Sequence, residues 1–202
     1  MYSDILIAAA ILTSIGVVSA NRPAVQETQW VPLKPHKIEW SSTGSAEVND
    51  DHSIRFLGSD EWQEFTLVLS LPDEASFQRL RLEVFPPDAS QIQSGKELIL
   101  FDVKPSLENA EKGRTVIDFE SCQMLGRQPD PSLAHCIDGL TDTGWSVPRT
   151  QGSREAYSLV FELGEPVLLG SDDRLAITLD SGGARNLLTL SRIRISIPAI
   201  ER

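Results

Sequence analysis

The decapeptide CIDGLTDTGW, residues 136–145, holds the densest set of chemically active side chains in this 202-residue sequence. Calcium prefers about 6 to 8 oxygen ligands in a flexible cage. Asp138, Asp142 and Thr143 offer such oxygens close together, so this stretch predicts a structural calcium site. The same residues also suit a turn in which the polar side chains bond their own backbone and Trp145 enters the core. The sequence leaves both interpretations open.

A second group of residues has the chemistry for binding a sugar. Sugar recognition combines an aromatic face, for the apolar side of the ring, with charged or amide groups for the hydroxyls. Trp62 and Tyr157 supply aromatic faces, and Arg149 and Arg154 supply donors from a loop, so these four residues are predicted to contact a ligand. The alternative for any one of the aromatic residues is a place in the core or at its rim.

Catalysis is not expected. The three histidines are far apart in the sequence, which contains neither a Gly-x-Ser-x-Gly elbow nor a His-Glu-x-x-His helix. Adjacent acids such as Asp50-Asp51 and Asp172-Asp173 point in different directions in a strand or turn, so solvated turns explain them better than acid–base pairs do. No cofactor is expected apart from the structural calcium.

The two cysteines, Cys122 and Cys136, predict a disulfide. An even count in an exported chain favours a bridge, which would constrain the unfolded chain by about 3 kcal/mol. Two free buried thiols are the alternative. A zinc site would need four ligands, and His135 is the one imidazole nearby.

The N-terminus predicts export. An apolar run over residues 5–20 ends in Val18-Ser19-Ala20, and this spacing of small residues is typical of cleavage after Ala20. We therefore expect residues 1–20 to be a signal peptide and the mature chain, without a membrane span, to reach the periplasm, the cell surface or the medium. No Lys or Arg precedes the apolar run, and an uncleaved N-terminal anchor is the alternative.

The charge balance argues against nucleic acid as a partner. The sequence has 18 Lys and Arg against 29 Asp and Glu, a formal net charge of −11. Recognition of phosphates begins with a basic patch. An acidic, solvated surface that keeps an exported protein in solution is the simpler interpretation.

The elements that would position these residues are β-strands. Residues 21–37 carry three prolines and predict an extended arm or linker, residues 38–198 the domain, and residues 199–202 a tail. Within the domain, short apolar or alternating segments recur between turn signals, with proline at their ends. LRLEVF and RIRISI alternate as half-buried strands do, the nearly all-apolar LILFDV suits a central strand, and residues 115–120 are predicted to form one strand. The pattern predicts an all-β fold, an antiparallel jelly-roll sandwich of about eight strands. The best helical segment is Asp130 to Cys136, with Asp130 as its cap and Pro131 in its first turn.

The order of several motifs resembles a known family. These are IDF at 117–119, IDG at 137–139, TGW at 143–145, VFELGEP at 160–166, LAITLDSGG at 175–183 and LSRIRISI at 190–197. Together they resemble the discoidin-like, galactose-binding-like β-sandwich, most closely the module of large exported planctomycete proteins that also carry c-type cytochrome segments. The resemblance implies a jelly roll of about eight strands, sugar recognition by loops at one end, and a structural calcium nearby. Leu140 stands where the broader family often has Asp or Asn, and the sequence contains no Cys-x-x-Cys-His haem attachment.

These observations together predict an exported, non-catalytic binding or accessory module. Its expected partner is a glycan or another component of the cell envelope, such as an envelope protein. The alternative is a structural interaction domain that docks to a partner protein and takes no small ligand.

Overall fold

A computed structural model describes a large part of the chain. The described residues are 28–41, 44–57, 63–72, 76–85, 97–140, 142–146, 156–170, 172–181, 187–188 and 190–199. The predicted signal peptide at 1–20 lies outside them. Among the described residues, no helix has both the length and the apolar character needed to cross a membrane.

The described residues form two antiparallel sheets packed face to face. The strands are β1 (Trp30–Pro32), β2 (Lys34–Trp40), β3 (Ser45–Val48), β4 (Ile54–Leu57), β5 (Gln63–Ser70), β6 (Ser76–Phe85), β7 (Glu97–Asn109), β8 (Gly113–Val116), β9 (Phe119–Met124), β10 (Trp145–Ser146), β11 (Tyr157–Leu168), β12 (Asp173–Ser181), β13 (Leu187–Leu188) and β14 (Arg192–Pro198). The first sheet has the order β3-β4-β14-β6-β11-β9, with β1 also on β14. The second has the order β10-β7-β12-β5-β2, with β8 also on β7 and the short β13 beside β7 in parallel.

Alternation along each strand separates the core from the outer face of its sheet, the face that points away from the core. In β14, Ile193 and Ile195 are buried in the core, whereas Arg192 and Arg194 point outward. Successive side chains of a strand point to opposite faces, so the sequence RIRISI dictates this arrangement. Each fully buried Ile or Leu stabilises the sandwich by about 1.5–3 kcal/mol relative to an exposed one.

The structure confirms the predicted antiparallel β-sandwich and adds short strands that the sequence pattern did not separate. The segment 115–120, predicted as one strand, is divided: β8 ends at Val116 and β9 begins at Phe119. These two strands belong to different sheets, so Ile117 and Asp118 carry the chain from one sheet to the other. Strands also begin at Trp30, within the segment predicted as an arm.

Pro105 lies inside β7 and does not end it, contrary to the expectation that each proline marks a strand end. The carbonyl of Pro105 accepts a hydrogen bond from the amide of Ile117, 3.1 Å away, so the polar groups of residue 105 face away from β12. A missing N–H at this position therefore removes no bond to β12. The strand continues to Asn109.

The predicted helical segment is confirmed as a single 3-10 helix, Pro131–Cys136. The carboxylate of Asp130 caps it and accepts the amide of Ser132 at 3.0 Å. The hydrogen bonds from Ser132 lower the pKa of Asp130. The helix buries Leu133 and Cys136 and delivers the chain to the decapeptide loop.

Candidate functional site

A gap beside β7 forms a concave site among the described residues. One side of β7 pairs with β12 along most of its length. On its other side, β10 pairs with Ile99 and Leu100, and β8 pairs with residues 106–109. Residues 101–105 lie between these two pairings. A cavity of about 430 Å³, here called the β7 pocket, lies along this stretch.

The floor of the β7 pocket is polar. Asp102, Lys104 and Ser106 alternate along the outer face of β7, and Thr178 lies opposite Lys104 on β12. The ammonium of Lys104 lies 2.8 Å from Oδ2 of Asp102. This ion pair raises the pKa of Lys104. The floor therefore presents carboxylate, ammonium and hydroxyl groups together.

One wall of the β7 pocket is apolar. Val116, Ile117, Phe119 and Ile137 line it, and Val116 is 72% exposed. Apolar walls with a few convergent polar groups are typical of small-molecule sites. Ile137 belongs to the decapeptide loop, so that loop forms part of the pocket rim. A ligand with one apolar and one hydroxylated side would match both surfaces.

Three carboxylates form a row across the second sheet beside the pocket. Asp102 on β7 lies opposite Asp180 on β12, which lies opposite Glu64 on β5. Asp102 and Asp180 are only 2% and 3% exposed. Burial, followed by the charge of Glu64, raises the pKa of Asp180 to about 6. Perturbed carboxyl groups of this kind concentrate at functional sites.

An ion pair shows that the outer face of the second sheet is concave. Arg114 on β8 lies 3.5 Å from Glu39 on β2. In a flat sheet these strands would be four spacings apart, about 19 Å. The sheet must therefore curl, with β8 bending towards β2. Glu39 also belongs to a second cavity of about 410 Å³ on this face, lined by Lys37 and Arg174 among others.

The decapeptide loop has the geometry of a turn. Oδ1 of Asp138 accepts the amide of Leu140 at 2.9 Å, and Oδ2 accepts the hydroxyl of Thr143 at 2.8 Å. The first of these bonds is the main cause of the lowered pKa of Asp138. Gly139 has φ = 74°, a backbone conformation that favours glycine.

The predicted calcium ligands do not converge into a larger metal-binding cluster. Asp138 and Thr143 bond each other, and Asp142 is exposed nearby. No group of three or more His, Cys, Asp or Glu side chains with metal-binding geometry occurs in the described part of the chain. The donor set shown is thus smaller than a calcium shell requires. Calcium binding stays a prediction.

Trp145 and Tyr157 are core residues. The Trp145 indole is completely buried, donates to Oδ2 of Asp130 at 3.2 Å, and meets the Tyr157 ring edge to face. Tyr157 is 2% exposed, and the guanidinium of Arg127 lies 4.6 Å from its ring centre. Its buried ring therefore offers no open face for a sugar, contrary to the expected ligand platform. The other three predicted ligand contacts, Trp62, Arg149 and Arg154, lie outside the described residues.

The predicted disulfide is absent. Cys122 and Cys136 are both free thiols, as in the alternative, with Cys136 buried and Cys122 partly buried. The Cys136 thiol donates to the carbonyl of Leu100 at 3.5 Å. Burial raises the pKa of Cys122 to about 12 and raises that of Cys136 as well. Thiols held protonated in an apolar core are poor nucleophiles, and this disfavours oxidation.

Sequence patterns did not identify the residues of the β7 pocket. The segment LILFDV was interpreted as a nearly all-apolar central strand, and Asp102 lies within it. A charged residue inside such a run was the available signal, as was the alternation of Asp102 and Lys104. Asp180 gave a similar signal at the end of LAITLD.

Comparison with models of protein families finds no match for this sequence, and comparison with curated proteins finds none either. The structure establishes a two-sheet antiparallel β-sandwich without assigning it to a family.

Proposed function

We propose that this protein is an exported, non-catalytic binding module and that the β7 pocket holds a sugar unit of a glycan or of another cell-envelope component. The observation that carries the proposal is the pairing of a polar floor with an apolar wall in the gap beside β7. The ring of a sugar has hydroxyls at its edge and apolar C–H groups on its faces. The two surfaces of the pocket are complementary to these two sides.

The polar groups of the floor suit hydroxyl recognition. Lys104 donates hydrogen bonds and the Thr178 hydroxyl both donates and accepts them, while the buried Asp102 holds the Lys104 ammonium in place. Lys104 is half-exposed, so its ammonium can reach a ligand while it stays paired with Asp102. Ile137 and Val116 lie where the apolar side of a ring would rest.

The family resemblance supports the same proposal in its finer form. A discoidin-like, galactose-binding-like sandwich implies a sugar-binding module, and the two-sheet fold agrees with that architecture. The resemblance implies recognition by loops at one end. The β7 pocket includes Ile137 and Gly139 from the IDG motif, so it joins the loop region to the concave face.

A glycan array with matched variants tests the proposal. The wild-type protein is expected to give saturable binding to a limited set of glycans, and Lys104→Met and Thr178→Val to weaken it at least tenfold. Lys34→Met is the control, because Lys34, the first residue of β2, is an exposed lysine that does not line the pocket. Equal weakening by the control, or no saturable binding, would contradict the proposal.

A second candidate is a domain that docks to a partner protein and takes no small ligand. The observation that favours it is the exposure of apolar side chains: Val116, which lines the pocket, is 72% exposed, and Leu140, next in sequence to the lining residue Gly139, is 52% exposed. Exposed apolar groups near a groove are typical of protein contacts. This candidate predicts an empty glycan array, and loss of cross-linking to purified envelope proteins in Val116→Ser but not in Leu168→Ser, an exposed leucine on β11.

A further inference from the structure

The row of carboxylates beside the β7 pocket is unusual because it places like charges directly opposite one another on neighbouring strands. Directly opposed residues on antiparallel strands have Cβ atoms about 4.5–5.5 Å apart, and like charges at that distance repel. Asp180 has such a neighbour on each side, Asp102 on β7 and Glu64 on β5. Lys104 is the basic group that faces this row from the flanking strands in the described residues.

The two buried members of the row are satisfied to different degrees. Oδ1 of Asp102 accepts the amide of Val103 at 2.9 Å. Its Oδ2 lies 2.8 Å from the Lys104 ammonium, an ion pair without hydrogen-bond geometry, so its charge is balanced although that oxygen accepts no hydrogen bond from the described residues. Oδ1 of Asp180 is buried and has no hydrogen-bond partner among the described residues. A buried carboxylate without a partner is costly, and taking up a proton relieves that cost. Asp180 is therefore the member of the pair that should carry the proton.

We propose that Asp180 holds a proton beside the ionised Asp102, and that this carboxyl pair is a proton-operated switch for the charge of the concave face. The geometry has the requirements of such a pair: direct opposition, burial of both groups and a single ammonium for two carboxyls. The raised pKa of Asp180, about 6, agrees with it. Carboxyl groups that interact strongly lose their protons in two separate steps.

The switch has a simple charge balance. At acidic pH the carboxylate of Asp102 and the ammonium of Lys104 lie beside a neutral Asp180, which is opposite Asp102 and does not itself line the pocket. Near neutral pH the proton leaves Asp180 for solvent, and the face next to the pocket floor gains one negative charge. In so far as the proposed glycan site is correct, an anionic sugar such as a uronate should therefore bind more weakly as the pH rises, whereas a neutral sugar should change little.

A carbon-13 NMR titration of the aspartate carboxyl carbons in the whole protein tests the switch without any ligand. One carboxyl is expected to titrate near pH 6, and its signal is expected to be lost in Asp180→Asn. Asp173→Asn is the matched control on the same strand. Hydrogen bonds from Asn109 and the Gly170 amide lower the pKa of Asp173, so the step near pH 6 should persist in this variant.

Lys104→Met provides a second variant in case Asp180→Asn does not fold. The ammonium of Lys104 lowers the pKa of Asp180, so its removal should move the high titration step to still higher pH. Two results of the titration would overturn the switch: every aspartate titrates near its ordinary pKa, or the step near pH 6 survives in Asp180→Asn. Because no sugar is present, these results are independent of whether the pocket binds a glycan.

Discussion

The outer faces of the two sheets both bury carboxylates on central strands, yet they neutralise them differently. On the first sheet, Glu83 of β6 receives two bonds from the Arg194 guanidinium, at 2.7 and 3.0 Å, and a third from Arg81 at 3.2 Å. Arg194 also bonds Asp51 at 3.1 Å. On the second sheet, Asp102 and Asp180 share a single basic neighbour, Lys104, within the described part of the chain.

The contrast separates a fully neutralised carboxylate from an under-neutralised pair. The two guanidinium groups that bond Glu83 also lie over aromatic rings, Arg194 over Phe85 at 5.6 Å and Arg81 over Trp30 at 5.0 Å. Bidentate pairs of this kind hold register and geometry. An under-neutralised pair such as Asp102 and Asp180 costs stability. Sites that break the rules of charge pairing are where functional residues are expected.

The largest effect should come from breaking the neutralised face. Glu83→Gln leaves Arg81 and Arg194 half-buried without their carboxylate, so we expect the free energy of unfolding to fall by about 3 kcal/mol. Urea unfolding at pH 7.5 measures it. Glu162→Gln is the control: Glu162 lies on the same outer face, its partner among the described side chains is the Ser121 hydroxyl, and its substitution should change little. A loss below about 0.5 kcal/mol for Glu83→Gln would remove the contrast between the faces.

On the second sheet, substitution of a buried carboxyl group is expected to raise the free energy of unfolding, not to lower it. The folded protein binds the proton of Asp180 more tightly than the unfolded chain does, because its pKa is raised from 3.8 to about 6. That contribution is complete below pH 3.8 and is lost as the pH rises through about 6. Asp180→Asn should therefore raise the free energy of unfolding at pH 7.5 by about 1–2 kcal/mol relative to wild type.

The pH dependence of this variant is its own control. At pH 4.5 the gain should shrink, because the wild-type carboxyl is then largely protonated in the folded protein. A variant that is destabilised at both pH values would show that the ionised carboxylate has a partner that stabilises it.

A smaller effect is expected for the ion pair that spans the concave face. Arg114→Ala removes contacts at 3.5 Å to Glu39 and 3.8 Å to Glu108, all between partly exposed side chains. Such pairs contribute about 0–1 kcal/mol, so stability should fall by about 0.5 kcal/mol. Amide hydrogen exchange should nevertheless become faster in β8, because its link to β2 is lost. Unchanged exchange would indicate that the curvature does not depend on this pair.

The smallest effect is expected at the decapeptide loop. Asp138→Ala removes the bonds to Leu140 and Thr143, and the melting temperature should fall slightly. The turn geometry predicts the same small fall in added calcium and in chelator. If calcium instead raises the melting temperature of the wild type and not of Asp138→Ala, the calcium prediction gains its support. Asp142→Ala serves as the matched exposed control.

The sequence was sufficient for the class of fold and for some local detail. Alternation in RIRISI and in LRLEVF identified half-buried strands, and Asp130 with Pro131 identified the capped helix. The limits were local too. The strand predicted over 115–120 was divided because its two halves join different sheets, and no periodicity within six residues reveals a change of sheet.

The candidate site could not be predicted because it depends on strand register. Asp102 and Asp180 are 78 positions apart in the sequence and become neighbours only when β7 pairs with β12. The curl of the sheet, seen in the Arg114–Glu39 pair, is likewise a tertiary property. The decapeptide stands out in the sequence because its polar residues are adjacent. In the structure it provides a turn at Asp138, the buried Trp145 and one residue of the pocket rim, Ile137.

The most direct test of the central claim is amide chemical-shift mapping with a mixture of neutral and uronate oligosaccharides. If the β7 pocket binds a sugar, saturable shifts are expected at Lys104, Ser106 and Thr178, and none around Glu83 on the first sheet. Shifts confined to the first sheet, or no shifts at the β7 pocket with any sugar of the mixture, would contradict the claim that the concave, under-neutralised face is the binding face.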